Sequence, residues 1–212
     1  SALHAGSGSG GAIWITCRRL EGSPNGLLRA NGGNSSHGGG PGGGGRLAVV
    51  YNPAEQAGHN PGIRLQADHG TGGYSTTTNP GRTAENGTLY LPDGAFLSTS
   101  LAGQFLGVKL FGPTSWSPNT LNVTDTRLLL AEEGFQLDVT NDAVLGAGTQ
   151  LGLGIHGVLT CRNLSLTDGA QLELYAGATN GVAPDYGCLL SVSAALNIGA
   201  DSCLILDSDI DN

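Results

Sequence analysis

The second half of the chain repeats one short pattern four times. Leu121-Asn122-Val123 is followed by Leu129-Leu130-Ala131, and Ala143-Val144-Leu145 by Leu151-Gly152-Leu153. Leu164-Ser165-Leu166 is followed by Leu172-Glu173-Leu174, and Leu196-Asn197-Ile198 by Leu204-Ile205-Leu206. Each apolar-x-apolar unit recurs eight residues later. Turn residues separate the paired units: Gly146-Ala147-Gly148, Thr167-Asp168-Gly169 and Gly199-Ala200-Asp201. Alternation of period two marks strands with one buried face, and the intervening residues mark tight corners. The repeats start at 121, 143, 164 and 196, so the spacings are 22, 21 and 32. The first two match one turn of a parallel β-helix, and the third adds an excursion that fits best at 175–186.

These spacings predict an all-β fold: a right-handed parallel β-helix, or solenoid, with glycine-rich N-terminal loops. One such unit cannot bury its apolar face alone, whereas stacked units share a continuous core. Residues 1–212 read as a single segment, with decorated glycine-rich units over 1–115 and regular units over 116–212. In the first half, strands are expected at Ala12–Thr16, Gly26–Ala30, Arg46–Tyr51, Ile63–Ala67 and Thr88–Leu91. No stretch carries a convincing helical period. Leu128–Glu133 comes nearest and fits the strand repeat better.

The first half is dominated by glycine, of which the chain has 37. Residues 32–46 read GGNSSHGGGPGGGGR. This is no phosphate loop, because it lacks a GK[ST] ending and leads into a strand rather than a helix. Gly6–Gly11 matches GxGxxG in form only, since no strand precedes it and a strand follows. A linker would join two cores, but each flank here is a single short strand. The run is therefore an excursion from one body. Either it lies extended, polyproline-II-like, against neighbouring backbone, or it is an ordinary surface loop. Residues 70–87 are expected to be the most exposed and mobile loop.

The net charge is −8 and there is one lysine, Lys109, which argues against a nucleic-acid partner. No apolar run approaches a membrane span. No methionine and no signal peptide are present, and both ends look cut, so a mature product or excised fragment is expected. Cys17, Cys161, Cys188 and Cys203 form no CxxC and support no zinc site. Each sits by an apolar run, so free buried thiols are expected, with disulfides as the alternative.

Catalytic chemistry finds no foothold. Asp93, Asp125, Asp138, Asp142, Asp168 and Asp185 are scattered over separate units, and five histidines show no ligand spacing. No cofactor or metal is expected. The alternating Asp207, Asp209 and Asp211 lack the glycine and distal Glu of a calcium loop. Glu132-Glu133 reads as a solvated corner. Glycan contact needs only a few aromatic and polar groups. Trp116, Tyr175, Asp185 and Tyr186 are the candidates, and the competing reading is that the rings cover the core edge. Trp14 alternates within a strand and is expected to be packed.

Residues 6–53, GSGSGGAIWITCRRLEGSPNGLLRANGGNSSHGGGPGGGGRLAVVYNP, resemble a module of large secreted bacterial surface proteins. There a GGSGGxIWITC strand, a G-x-L-x-ANGG strand and a Gly-run-plus-GR(L/I)AVxY strand follow one another. EEGFQLDVTND and LELYAGATNGVAPDYGCLLSVSAALNIGA resemble the β-helix-like units that follow in those proteins. The likeness covers most of the chain, least well at 70–87, and the further glycine-rich repeats usual in those proteins are absent. It implies a long, repetitive, extracellular or cell-surface parent and carries no catalytic residue across. The expected function is a non-enzymatic structural or adhesive segment that assembles end to end. Its expected partners are the rest of the parent chain or further copies at the open ends, and glycans. The alternative is a carbohydrate-binding or polysaccharide-degrading β-helix module.

Overall fold

The computed structural model describes residues 6–35, 39–72, 84–176 and 187–208. The strands of the first half are β1 (Ala12–Thr16), β2 (Leu27–Arg29), β3 (Arg46–Val50), β4 (Arg64–Gln66), β5 (Gly87–Tyr90), β6 (Ser100–Ala102) and β7 (Phe105–Phe111). The second half adds β8 (Ser115–Trp116), β9 (Leu121–Thr124), β10 (Arg127–Leu130), β11 (Gln136–Asp138) and β12 (Asp142–Leu145). It continues with β13 (Gln150–Leu153), β14 (Val158–Leu166), β15 (Gln171–Ala176), β16 (Leu189–Ile198) and β17 (Cys203–Ser208). The described residues hold one helix, α1 (Pro53–Gln56), which the sequence reading missed. Its signal was present: Asn52 caps the Ala54 N–H, and Pro53 supplies the preset first-turn backbone.

The fold is all-β, and its named strands pair in parallel. Ten strands form one sheet, with the path β1-β3-β5-β7-β10-β13-β15-β17 and with β2 and β4 joined beside β7. Seven form the other: β6, β9, β12, β14 and β16, with β8 and β11 also laddered onto β14. Parallel neighbours need a crossover. Here the crossovers are strands of the other sheet, because the chain from β9 onward visits the two sheets in turn. Long strands join what shorter ones keep apart. β7 pairs with β4 through Phe105–Leu106 and with β5 through Val108–Phe111, and Gly107 between them takes a positive φ of 65°.

Register carries apolar side chains from one strand to the next. Ile13, Leu47, Leu89, Leu110, Leu130, Leu153, Leu174 and Leu206 form one continuous column. Leu121, Ala143, Leu164 and Leu196 form a second on the other sheet. Members away from the ends are almost fully buried. Such side chains each contribute about 1.5–3 kcal/mol of burial energy.

Two expectations need correction. The unit after Leu121–Val123 buries Leu128 and Leu130, not Leu129 and Ala131. Its corner is one residue shorter than the others, because Asp125 turns the chain at a φ of 47°. The fully buried Thr126 completes that corner by donating to the Thr124 carbonyl. Trp14 is not packed: it is 73% exposed, because Ile13 and Ile15 take the inward positions.

Beside the leucine column, one layer of the first half is built from backbone. Segment 39–45 is surrounded by 6–11, 30–35, 67–72 and 84–88. Ser7 and Gly10 donate to the carbonyls of Gly40 and Gly43, and Gly42 and Gly45 donate to Gly33 and Ala30. The partners recur every three residues, the repeat of a polyproline II helix, whose amides point outward in successive directions. Other directions are taken by Gly44 to Glu85, Gly70 to Gly42 and Thr88 to Gly45. The ordered alternative for the glycine run is therefore the one realised over its described residues. The ends of 70–87 also belong to this packing: Gly70 and Gly87 are buried, whereas 73–83 lie outside the described residues.

Glycine is required here by space. A Cβ on Gly42 would strike the Gly8 carbonyl, on Gly44 the Ala67 carbonyl, and on Gly70 the Gly33 carbonyl. Backbone oxygens cannot step aside as a side-chain tip can. Gly42→Ala or Gly44→Ala is expected to cost about 3 kcal/mol. Gly8→Ala and Gly11→Ala, whose Cβ would meet nothing within 4 Å, are expected to stay within about 0.5 kcal/mol of the parent. Urea unfolding followed by circular dichroism measures both.

Candidate functional site

The four residues singled out for glycan contact are not gathered in one place among the described residues. Trp116 lies on β8, paired with Leu137, and is 7% exposed, so its ring belongs to the core. Tyr175 lies on β15 in the other sheet, half-buried, and its hydroxyl donates to Glu173 Oε2 at 2.8 Å. Burial, and then the Glu173 carboxylate, push the Tyr175 phenol well above its ordinary range. Asp185 and Tyr186 lie outside the described residues, as do most of the 175–186 excursion and Asp209 and Asp211.

The scattered carboxylates hold the fold together. Asp93 accepts from the Tyr51 hydroxyl at 2.6 Å and from the Ala95 N–H. Burial above all, and then Asp93, raise the Tyr51 phenol far beyond the neutral range. Asp138 accepts from Thr160 and Asp142 from Asn163, both across neighbouring strands at 2.7 Å. Asp125, Asp168 and Asp201 take positive φ at corners. Glu132 and Glu133 do lie at a corner: Glu133 is exposed and 2.9 Å from His156 Nδ1, whereas Glu132 is half-buried and its Oε1 receives the Gly112 N–H at 2.7 Å. No group of three His, Cys, Asp or Glu that could hold a metal occurs among the described residues.

One depression of about 330 Å³ lies by α1, lined by Leu20, Glu21, Gly22, Gly58, His59, Asn60 and Pro61. Beneath it Gln56 is fully buried. Its amide donates to the Leu20 and His59 carbonyls, and its carbonyl accepts the Leu20 N–H. These bonds pin the 17–20 strand extension to the helix. Glu21 at the rim is paired with Arg19.

One surface feature is a column that sequence reasoning passed over. On the outer face of the ten-stranded sheet, register aligns Trp14, Ala48, Tyr90 and Phe111 on four successive strands. Trp14 is 73% and Tyr90 43% exposed. Parallel strands lie about 4.8 Å apart, so the Trp14 and Tyr90 positions are about 9.6 Å apart with small Ala48 between. Ala12, Arg46, Thr88 and Lys109 form the flanking outward column. Lys109 Nζ is 3.0 Å from Glu85. On the other flank the Trp14 indole N–H donates to Thr16 Oγ1 at 3.2 Å. The signal was the strict alternation of AIWIT: with both isoleucines inward, the tryptophan has to point out.

The cysteines are all free, and they differ in access. Cys161 is buried and Cys17 and Cys188 are half-buried, as expected in kind, but Cys203 is exposed. It lies on β17, which has no further named strand beyond it. Burial pushes the Cys161 and Cys188 thiols up. At pH 8, Cys203 is expected to react first with a disulfide reagent such as DTNB. Cys161 and Cys188 are expected to react only after denaturation; stopped-time labelling with peptide mass mapping reads the order. Substituting Gln56→Leu, which leaves the Leu20 and His59 backbone groups unpaired, is expected to cost about 2–3 kcal/mol in urea unfolding. Compared with known proteins, the chain matches no family model, no curated protein and no solved structure.

Proposed function

We propose that the chain is a right-handed parallel β-solenoid and serves as a non-enzymatic structural or adhesive segment of a secreted surface protein. The observation that carries this reading is the apolar column running from Ile13 to Leu206. Its inner members are buried, whereas Leu206 is 72% exposed. Leu189, Leu196, Ile198 and Leu204 are exposed in the same way on the last strands. Leu196, Ile198 and Leu204 each continue a column that is buried one strand earlier, from Leu164, Leu166 and Leu172, whereas Leu189 follows the half-buried Val158. Strands β16 and β17 are hydrogen-bonded on one side only among the described residues. An open ladder with an apolar interior invites another strand layer.

The reading gives the ends a role: they receive more of the same architecture, from the parent chain or from another copy. Stacked this way, the segment forms a stiff rod whose outer faces and loops meet the surroundings. The likeness of the N-terminal half to secreted bacterial surface modules supports an extracellular location. The expenditure of the carboxylates on internal hydrogen bonds supports a scaffold over a hydrolase.

Small-angle scattering over a concentration series tests the stacking. The expected result is a rod that lengthens with concentration, and loss of that lengthening in Leu196→Lys and Leu206→Lys. A monodisperse monomer at high concentration overturns end-to-end stacking.

A further inference from the structure

We propose that the outward column Trp14–Ala48–Tyr90–Phe111 is a binding platform for an extended β-1,4-linked polysaccharide. This concerns a lateral face of the ten-stranded sheet and does not rest on stacking at the ends. The three aromatic positions lie along the direction in which strands succeed one another, so they define a straight track across the sheet. Trp14 and Tyr90 are exposed well beyond what core aromatics show.

The spacing selects the ligand. A β-1,4-linked pyranose chain is a flat ribbon in which each sugar is flipped relative to the last. The same ring face therefore recurs at every second unit, over a length similar to the roughly 9.6 Å between alternate parallel strands. Rings at Trp14 and Tyr90, with Ala48 between, match that recurrence: two sugars stack and the intervening one lies over the alanine notch. The apolar C–H face of a pyranose packs on an aromatic face, while its equatorial hydroxyls point sideways. Sideways is where the chain has placed its polar groups. Arg46 and Thr88 stand on one flank and Thr16 on the other.

A protein partner fits this face poorly. A stable interface buries about 800 Å² per partner around a contiguous apolar core. Here the apolar strip is a single side chain wide, interrupted at Ala48 and bordered by Arg46, Thr88 and Lys109. A second copy docking through Trp14 is therefore an outcome that the test must distinguish.

The probes are cellohexaose, which is β-1,4-linked and extended, and maltohexaose, of equal length and composition but α-1,4-linked and coiled. The chain has two tryptophans, and Trp116 is buried, so Trp14 supplies the acrylamide-quenchable emission. Cellohexaose is expected to shift that emission to the blue and protect it from quencher, and maltohexaose is not. Trp14→Ala and Tyr90→Ala are each expected to weaken cellohexaose binding about tenfold by calorimetry. Trp14→Phe should retain most of it. Both positions are exposed, so the melting temperature should not move, which separates lost binding from lost folding. The proposal is overturned by no response to cellohexaose, by an equal response to maltohexaose, or by binding that survives both alanine substitutions. Because Trp14 lies on the edge strand β1, these titrations use the Leu206→Lys variant, in which end stacking is removed. In it, an emission shift that follows protein concentration without sugar also overturns the proposal, in favour of lateral self-association, so its failure and the failure of stacking in scattering are read separately.

Discussion

Close approach of backbone to backbone is the constraint on which the N-terminal half depends. Five extended segments meet there, held by amide-to-carbonyl bonds that leave each segment in several directions and by short side chains such as Asn31 and Asn34, whose Oδ1 atoms accept the Asp68 and Thr71 N–H groups. The columns record the change. From Val108 onward, one inward column reads Val108, Leu128, Leu151, Leu172 and Leu204. One strand before Val108 it reads Gly87, where a Cβ would meet the Gly45 carbonyl. In this column side chains give way to main chain, while the neighbouring column keeps Leu47 and Leu89 buried and the strand ladder passes unbroken across the boundary. The short contacts also bring Cα hydrogens against carbonyl oxygens, a weak attraction repeated many times.

The outer surface follows from the same ladder. Parallel register repeats whatever the sequence places at an outward position and turns it into a row. On the seven-stranded sheet two rows carry side-chain bonds from strand to strand, Thr160 donating to Asp138 and Asn163 to Asp142. On the ten-stranded sheet near the N-terminal end, the row is aromatic. A fold of this kind makes linear arrays without further design, and linear polymers are what linear arrays meet best.

Much of this could be read from the sequence where period two was strict. The spacings of the second half predicted which strands pair: Leu121 with Ala143, Ala143 with Leu164 and Leu164 with Leu196. The slip at Leu128 arose because three consecutive leucines allow two phases, and the phase was decided by a corner one residue shorter, at Asp125. The glycine run could be placed in one body but not given a conformation, because polyproline II leaves no apolar period to detect. Its order comes from partners far along the chain, such as Gly44 with Glu85 and Gly70 with Gly42. The aromatic row was missed for a related reason. Trp14 and Tyr90 are neighbours only through the pairing of β1, β3 and β5, and that pairing spans two long insertions.

The two kinds of interior should answer temperature differently. The attraction among buried leucines fades on cooling, since it derives from water's response to apolar surface and carries a large heat-capacity change. A core of hydrogen-bonded glycine buries little apolar area, so it lacks that dependence. Its cohesion is enthalpic and persists in the cold. The glycine-packed layer is thus less sensitive to chilling than the leucine columns that flank and follow it.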